Sequence, residues 1–205
     1  MSINKDKNNI NKSNSILWSE LKKGNPDALK KLFHQFYNDL YFYGKKLSKD
    51  DNHIKDTIQD IFAYLWENRK SLSNVEYVKA YIFKIFRNKL LKPSNKKTIY
   101  TLTDNDKRDI DFVISHEDLI AEHETQIQTS KIISLLLKDL SDKQREIIFL
   151  RFYCDLSITE ISQSLSIEKQ SVSNSLNRIF NTLRKKLTKN NLLLLLILLK
   201  FWTLK

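Results

Sequence analysis

The amino-acid sequence predicts an all-α protein, two helical domains joined by a linker, and three observations predict it. Glycine and proline number two each in 205 residues, where average usage gives roughly 14 and 10. Folds of many strands and tight hairpins need positive-φ residues that this chain scarcely has. Apolar residues also recur at helical spacing through two stretches, residues 15–93 and 128–188. Charge divides the chain at the same places. Residues 1–93 hold 18 basic and 10 acidic side chains, residues 94–127 hold 4 and 8, and residues 128–205 hold 13 and 6, within an overall charge of +11. Two basic blocks thus flank an acidic segment, and basic blocks favour polyanions such as nucleic acid or acidic membrane surfaces.

Residues 1–14 are polar and lack the apolar run of a signal peptide, so they are expected to be disordered. A short helix is expected over Ser15–Lys23, with Ile16, Leu17, Trp18 and Leu21 clustered. Asn25-Pro26-Asp27 opens the next: an N-cap amide, proline in the first turn and an acid near the positive end of the dipole. Leu29, Leu32, Phe33, Phe36, Leu40, Tyr43 and Leu47 form its stripe. A helix follows over His53–Lys70, with Ile54, Ile58, Ile61, Phe62 and Leu65 inside. Another starts near Asn74, with Val78, Ile82, Ile85, Phe86 and Leu90 inside, and Pro93 ends it. Residues 94–127 read as an acidic linker with a local helix near 117–127. Helices resume at Ile132, Ile133, Leu135 and Leu136. Ser141 with Gln144 is a capping box opening a helix that carries Ile147, Ile148, Leu150 and Phe152; Ser157 with Glu160 is a second. A short helix over Ile158–Leu165 and a longer one to about Leu187 follow. The tail, residues 189–205, holds an apolar run from Leu192 to Leu199. Eight residues make about 12 Å of helix against a hydrocarbon core of about 30 Å, too short to span a membrane.

Much enzyme chemistry is excluded by composition. With Gly24 and Gly44 as the only glycines, no phosphate-binding Walker loop, dinucleotide turn or nucleophile elbow exists. Cys154 is the only cysteine, and His34, His53, His116 and His123 form no zinc-type spacing. His116 and His123 lie among acids, but a solvated acidic stretch is the simpler account. No nucleophile–base–orienter set is visible. The expectation is a non-enzyme with no catalytic residue, no cofactor, no metal and no small-molecule substrate. A lone cysteine fits a reducing cytoplasm.

The sharpest local pattern lies near the end. Ile161, Leu165, Ile167, Val172 and Leu176 are apolar across a short helix, a tight turn and a second helix, the spacing of a helix-turn-helix that sets its second helix in the DNA major groove. Lys169, Gln170, Ser173, Asn174 and Asn177 face outward, and amides pair bidentately with adenine. Arg178, Arg184, Lys185 and Lys186 suit phosphates. Serines stand at 162 and 166, where such turns usually carry alanine and glycine.

Taken in order, these segments resemble the sigma factors of bacterial RNA polymerase, in particular the short extracytoplasmic-function group of the sigma-70 family, which keeps only regions 2 and 4. Asp56–Arg69 resembles region 2.2. Ala80–Lys89 resembles the helix that meets the −10 element. Leu140–Phe152 resembles the opening of region 4, and Leu156–Ile161 with Gln170–Leu176 its helix-turn-helix. The resemblance implies a polymerase-docking face at Asp56, Gln59, Asp60 and Glu67. It implies −10 contacts at Arg69, Asn74, Tyr77, Tyr81, Arg87 and Asn88, where aromatics stack on unpaired bases and cations steer the backbone. Reading of −35 falls to Lys169, Gln170, Ser173, Asn174, Asn177, Arg178, Arg184 and Lys185. Core RNA polymerase and promoter DNA are the implied partners, with room for an anti-sigma factor. A helix-turn-helix regulator that binds DNA as a dimer, without joining polymerase, stays open at this point. Three features depart from the family pattern: Ser173 and Ser175 replace a frequent basic pair, Pro93 shortens the −10 helix, and the leucine tail has no counterpart.

Overall fold

Residues 2–92, 112 and 139–186 are described by the computed structural model, and among them every regular element is an α-helix. The expected linker apart from Phe112, its local helix, the Ile132–Leu136 stretch, His116, His123, Pro93 and the leucine tail lie outside the described residues.

Helix α1 spans Ser2–Lys22, which corrects the expectation of disorder over residues 1–14. No glycine or proline interrupts residues 2–22, and once a helix is anchored each further residue adds a backbone bond. The anchor is the C-terminal half, where Trp18 and Leu21 are buried and the buried Asn14 accepts a 2.9 Å hydrogen bond from Gln35 Nε2. Gly24, at φ +90°, ends the helix in a Schellman turn: its N–H bonds Leu21 O at 2.9 Å and that of Asn25 bonds Glu20 O at 3.0 Å. Asn25 then caps α2, Pro26–Leu47, by accepting from Asp27 N at 3.0 Å. Ala28, Leu32, Phe36, Leu40 and Tyr43 of α2 are buried.

Helix α3 is Asp51–Glu67, capped by Asp50 through His53 N at 3.0 Å. Helix α4 is Val78–Leu90, starting later than expected. Side chains of α1 hold the preceding loop: Trp18 Nε1 donates to Ser73 O at 3.1 Å and Lys22 Nζ to Asn74 Oδ1 at 2.5 Å. Each of these helices packs on its neighbour, α1 on α2, α2 on α3 and α3 on α4.

The C-terminal helices are α5 (Asp142–Phe152), α6 (Ile158–Ser164) and α7 (Lys169–Lys186). Both expected capping boxes are present, Ser141 with Gln144 and Ser157 with Glu160. Helix α6 ends in a second Schellman turn, with Ser166 N bonded to Gln163 O at 3.3 Å and Ile167 N to Ser162 O at 2.9 Å. Ser166 occupies the left-handed position at φ +52°, so serine takes the conformation that glycine adopts without strain. Ser162, the other atypical residue, is buried, and its hydroxyl donates to Thr159 O at 3.0 Å.

The two groups of helices share one hydrophobic core. It runs from Trp18 through Tyr43, Phe86, Phe112 and Phe149 to Val172 and Leu176. Helix α4 packs on α6 as extensively as α1 packs on α2. Phe112, assigned to the linker, is fully buried, and Arg145 Nε donates to its carbonyl at 2.9 Å. The buried residues of α5 are Glu146, Ile147, Phe149 and Leu150. The expected stripe therefore missed Glu146 and Phe149, because α5 is covered on two sides and shows no single apolar face.

Two substitutions test this packing. A Cβ on Gly44 would lie 2.7 Å from Ile54 Cγ2 and 3.0 Å from Phe86 Cζ. Alanine gains about 1 kcal/mol of helix propensity over glycine, while overpacking costs about 1–3 kcal/mol. At so short a contact the upper figure applies, and Gly44→Ala should lose about 1–2 kcal/mol net, read as a lower urea midpoint at unchanged slope. Ser166→Gly should act oppositely. Relief of the positive φ should add about 0.5–1 kcal/mol and raise the melting midpoint by about 1–4 °C; a fall would show that the serine hydroxyl stabilises the turn.

Candidate nucleic-acid interface

On α3 the buried stripe is Ile54, Ile58, Ile61, Phe62 and Leu65. Asp56, Gln59, Asp60 and Glu67 are exposed, and spacings of four and seven residues gather the three acids on one side of the helix. Asp60 is bound within the chain, its carboxylate 2.6 Å from Lys89 Nζ of α4 with the Asp60 side chain 58% exposed.

The expected −10 residues fall into three settings. Arg69 and Asn74 lie in the loop before α4. The Arg69 guanidinium sits over the Trp66 ring, 4.4 Å from its centre, and donates to Trp66 O at 2.7 Å. Asn74 is exposed and tethered by Lys22. Tyr77 and Tyr81 are half-buried. Tyr81 meets Trp18 edge-on at 5.4 Å, and burial raises its phenol pKa. A hydrogen bond with Glu76 raises that of Tyr77, so both rings stay neutral at physiological pH. Asn88 is half-buried. Arg87 is the surprise. Its Nε lies 2.8 Å from Glu146 Oε1 of α5, its side chain only 17% exposed and that of Glu146 4%. Burial works against the Arg87 charge, and the neighbouring Tyr43 and Glu146 outweigh it, so its pKa rises.

On α7, Val172, Leu176 and Ile179 face the core. Lys169, Gln170, Asn174, Asn177 and Arg178 are exposed on the other side, as are Arg184 and Lys185 further along, while Ser173 is half-buried. Gln170 Nε2 donates to Asn174 Oδ1 at 3.0 Å, which fixes two amides side by side. This face can present paired donors and acceptors to base edges, with cations at its C-terminal end for phosphates.

Sequence reasoning missed the polar contacts between the two groups of helices. Glu146 Oε1 also accepts from Tyr43 OH at 2.5 Å, and burial, with the nearby carboxylate adding to it, pushes the Tyr43 phenol well above its usual range. Lys79 Nζ lies 2.6 Å from both Asp39 Oδ2 and Cys154 O. Cys154 is 1% exposed, and burial drives its thiol pKa well up. A cleft of about 540 Å³ separates Tyr77, Tyr81 and Lys84 from Gln163, Ser166 and Glu168. No spacing rule joins residues so far apart in the chain; a glutamate beside an apolar run at 147–150 was the only available signal.

Comparison with known proteins places this geometry in a family. The family model described as sigma-70, region 4 matches residues 136–185. RNA polymerase sigma factor YlaC of Bacillus subtilis is 21% identical over 164 residues, 80% of this chain and 94% of the relative. ECF RNA polymerase sigma factor SigW of the same organism is 21% identical over 174 residues, 82% and 93% of the two chains. The solved structure of CnrH in complex with the cytosolic domain of CnrY has the same fold, with a TM-score of 0.55 at 18% identity over 84% of this chain and 95% of that one. A helix-turn-helix within the matched segment, an all-helical architecture among the described residues and relatives aligned along four fifths of the chain agree: the chain is similar along most of its length to extracytoplasmic-function sigma factors, and its residues 136–185 match sigma-70 region 4.

Proposed function

We propose that this chain is a promoter-specificity subunit of bacterial RNA polymerase, working in the cytoplasm and carrying no catalytic group of its own. It docks on the core enzyme through Asp56, Gln59, Asp60 and Glu67 of α3. Arg69, Asn74, Tyr77, Tyr81, Arg87 and Asn88 receive the opened −10 strand, and the outer face of α7 reads −35. The working units are residues 15–93 for docking and −10, and residues 128–188 for −35. The observation that carries this reading is one chain holding two separate polar faces, acidic on α3 and amide-rich with basic flanks on α7. A regulator acting alone needs only the second. Among the described residues no helix is long and apolar enough to cross a membrane. Run-off transcription with purified core polymerase, with and without this protein, tests the whole proposal.

Two mutational tests address the faces. Asp60 is largely exposed and its pair with Lys89 lies at the surface, where such pairs contribute about 0–1 kcal/mol. Asp60→Lys should therefore keep its fold and lose polymerase affinity by about 2–5 kcal/mol through like-charge opposition at the interface. Wild-type affinity in that variant would remove the docking face from α3. On α7, Gln170→Ala and Asn174→Ala should each relax base preference by about 1–3 kcal/mol at defined positions. Arg184→Ala or Lys185→Ala should weaken binding evenly across sequences and flatten its salt dependence. Identical behaviour of all four would mean that α7 is not the reader.

A further inference from the structure

Nothing in promoter reading uses the apolar run from Leu192 to Leu199. Seven leucines and Ile197 stand in a row there, followed by Lys200, Phe201 and Trp202. Such a run keeps no polar side for water, so an apolar phase must cover it. The described helices offer none. In α5–α7, Ile147, Leu150, Ile161, Val172 and Ile179 are already buried in the core. Tyr153 is the one large apolar side chain left exposed among the described residues of that group. In the other group Phe42 is exposed beside Tyr153, at 5.7 Å, and Ile10 and Ile16 are exposed on α1. Six residues apart, these two isoleucines point to different sides of their helix. Single side chains do not make a face that could take eight. A groove on a partner protein selects a helix with one apolar stripe and a polar back, and this run has no polar back.

Charge names the phase. After Glu168 the chain has no further acid: residues 169–205 carry 8 basic and 0 acidic side chains. Lys186 and Lys189 precede the run, and Lys200 and Lys205 follow it. At a bilayer surface a lysine lays its stem along the acyl chains and its ammonium among the phosphates, while an indole settles at headgroup depth. Too short to span, the run can only lie within one leaflet. We propose that residues 186–205 are a peripheral membrane anchor, which holds this chain on an acidic phospholipid surface by the leucine run in the acyl boundary and by the flanking lysines on headgroup phosphates. Neither signal is enough by itself, since stable attachment takes an apolar insert and a basic patch together. Arg184 and Lys185, exposed at the end of α7, stand within eight residues of Leu192, about 26 Å of extended chain at most. The anchor therefore brings the end of α7 to the same surface. Lipid and promoter phosphates would then draw on shared cations; that consequence rests on the −35 reading above, and the anchor itself does not.

Flotation of the full-length protein with lipid vesicles tests this. The protein should float with vesicles of phosphatidylcholine containing phosphatidylglycerol, and bind about 10-fold or more weakly to pure phosphatidylcholine or in high salt. The double variant Leu194→Asp, Leu198→Asp should lose about 10-fold or more on either lipid. The triple variant Lys189→Gln, Lys200→Gln, Lys205→Gln should lose about 10- to 100-fold on the acidic vesicles and little on the neutral ones, at about fivefold per lysine. Helical circular dichroism should match the wild type in both, because no described helix contains these positions. Lipids brominated in the acyl chains should quench part of the tryptophan fluorescence, and Trp202→Phe should abolish that part. Trp18 is buried and Trp66 half-buried, so neither supplies it. Quenching that persists in Trp202→Phe would put another part of the chain in the bilayer and overturn the proposal. So would absence of flotation, wild-type flotation of the aspartate variant, or retention in alkaline carbonate, the mark of a spanning segment. Oligomers that form through the run and that no vesicle dissolves would show the leucines covering one another, and would overturn it too. If the aspartate variant fails to fold, the lysine variant and the quenching decide. None of these readouts uses polymerase or promoter DNA, so the anchor and the sigma-factor reading fall separately.

Discussion

The fold turns on one side chain, Tyr43. Its ring is fully buried and lies among Phe83 at 5.5 Å, Phe86 at 6.1 Å, Phe112 at 6.3 Å and Phe149 at 6.2 Å. Those four rings come from α4, the segment between the helical groups, and α5. A residue of α2 therefore gathers α4, Phe112 and α5 around one ring. Its hydroxyl cannot reach water there, and a buried phenol without a partner costs about 1–3 kcal/mol. Glu146 removes that cost and brings a charge, which Arg87 balances. Each group is tolerable in the seam because of the other two, so the triad stands or falls as a unit.

A second constraint fixes the surface before α4. Trp18 packs its ring against Tyr81, and its indole N–H holds Ser73 O, so α1 sets the shape of the loop that carries Arg69 and Asn74. The positive φ of Gly24 turns the chain so that α1 lies along α2 and reaches that loop. Gly44 does the opposite kind of work, since its missing side chain lets α2 approach Ile54 and Phe86. The chain's two glycines thus stand where a turn and a close contact need them.

The caps at Asn25, Ser141 and Ser157 and the stripes of α2, α3 and α7 were legible in the sequence because they are local. Capping lies within four residues, and a stripe repeats every three or four. The exposure of Asp56, Gln59, Gln170 and Asn174 followed from the same periodicity. Three features were not legible, for three reasons. The length of α1 depends on an anchor, Asn14 against Gln35, made with a different helix. The burial of Phe112 depends on rings far from it in sequence, and it lies in an acidic segment without helical period. The pairing of Arg87 with Glu146 joins residues 59 apart in the chain. To local rules, an arginine at the end of a basic helix looks like a phosphate ligand.

The seam between the groups differs in kind from the core of either. Within α1–α4 the buried residues are almost wholly apolar, and a buried side chain of that size contributes about 1.5–3 kcal/mol. Only Asn14, Lys46 and Thr57 are buried polar side chains there, so separating those helices amounts to unfolding. Across the seam, the faces of Phe149 and Phe112 against Tyr43 make a similar apolar contribution, but Glu146, Arg87, Lys79 and Asp39 all regain hydration when it opens. Charged pairs taken out of water add little net stability, because desolvation offsets their attraction. The seam is thus held by apolar packing, that of α4 on α6 and of the rings around Tyr43, and oriented by the charges, which select this one docking without adding much to its strength.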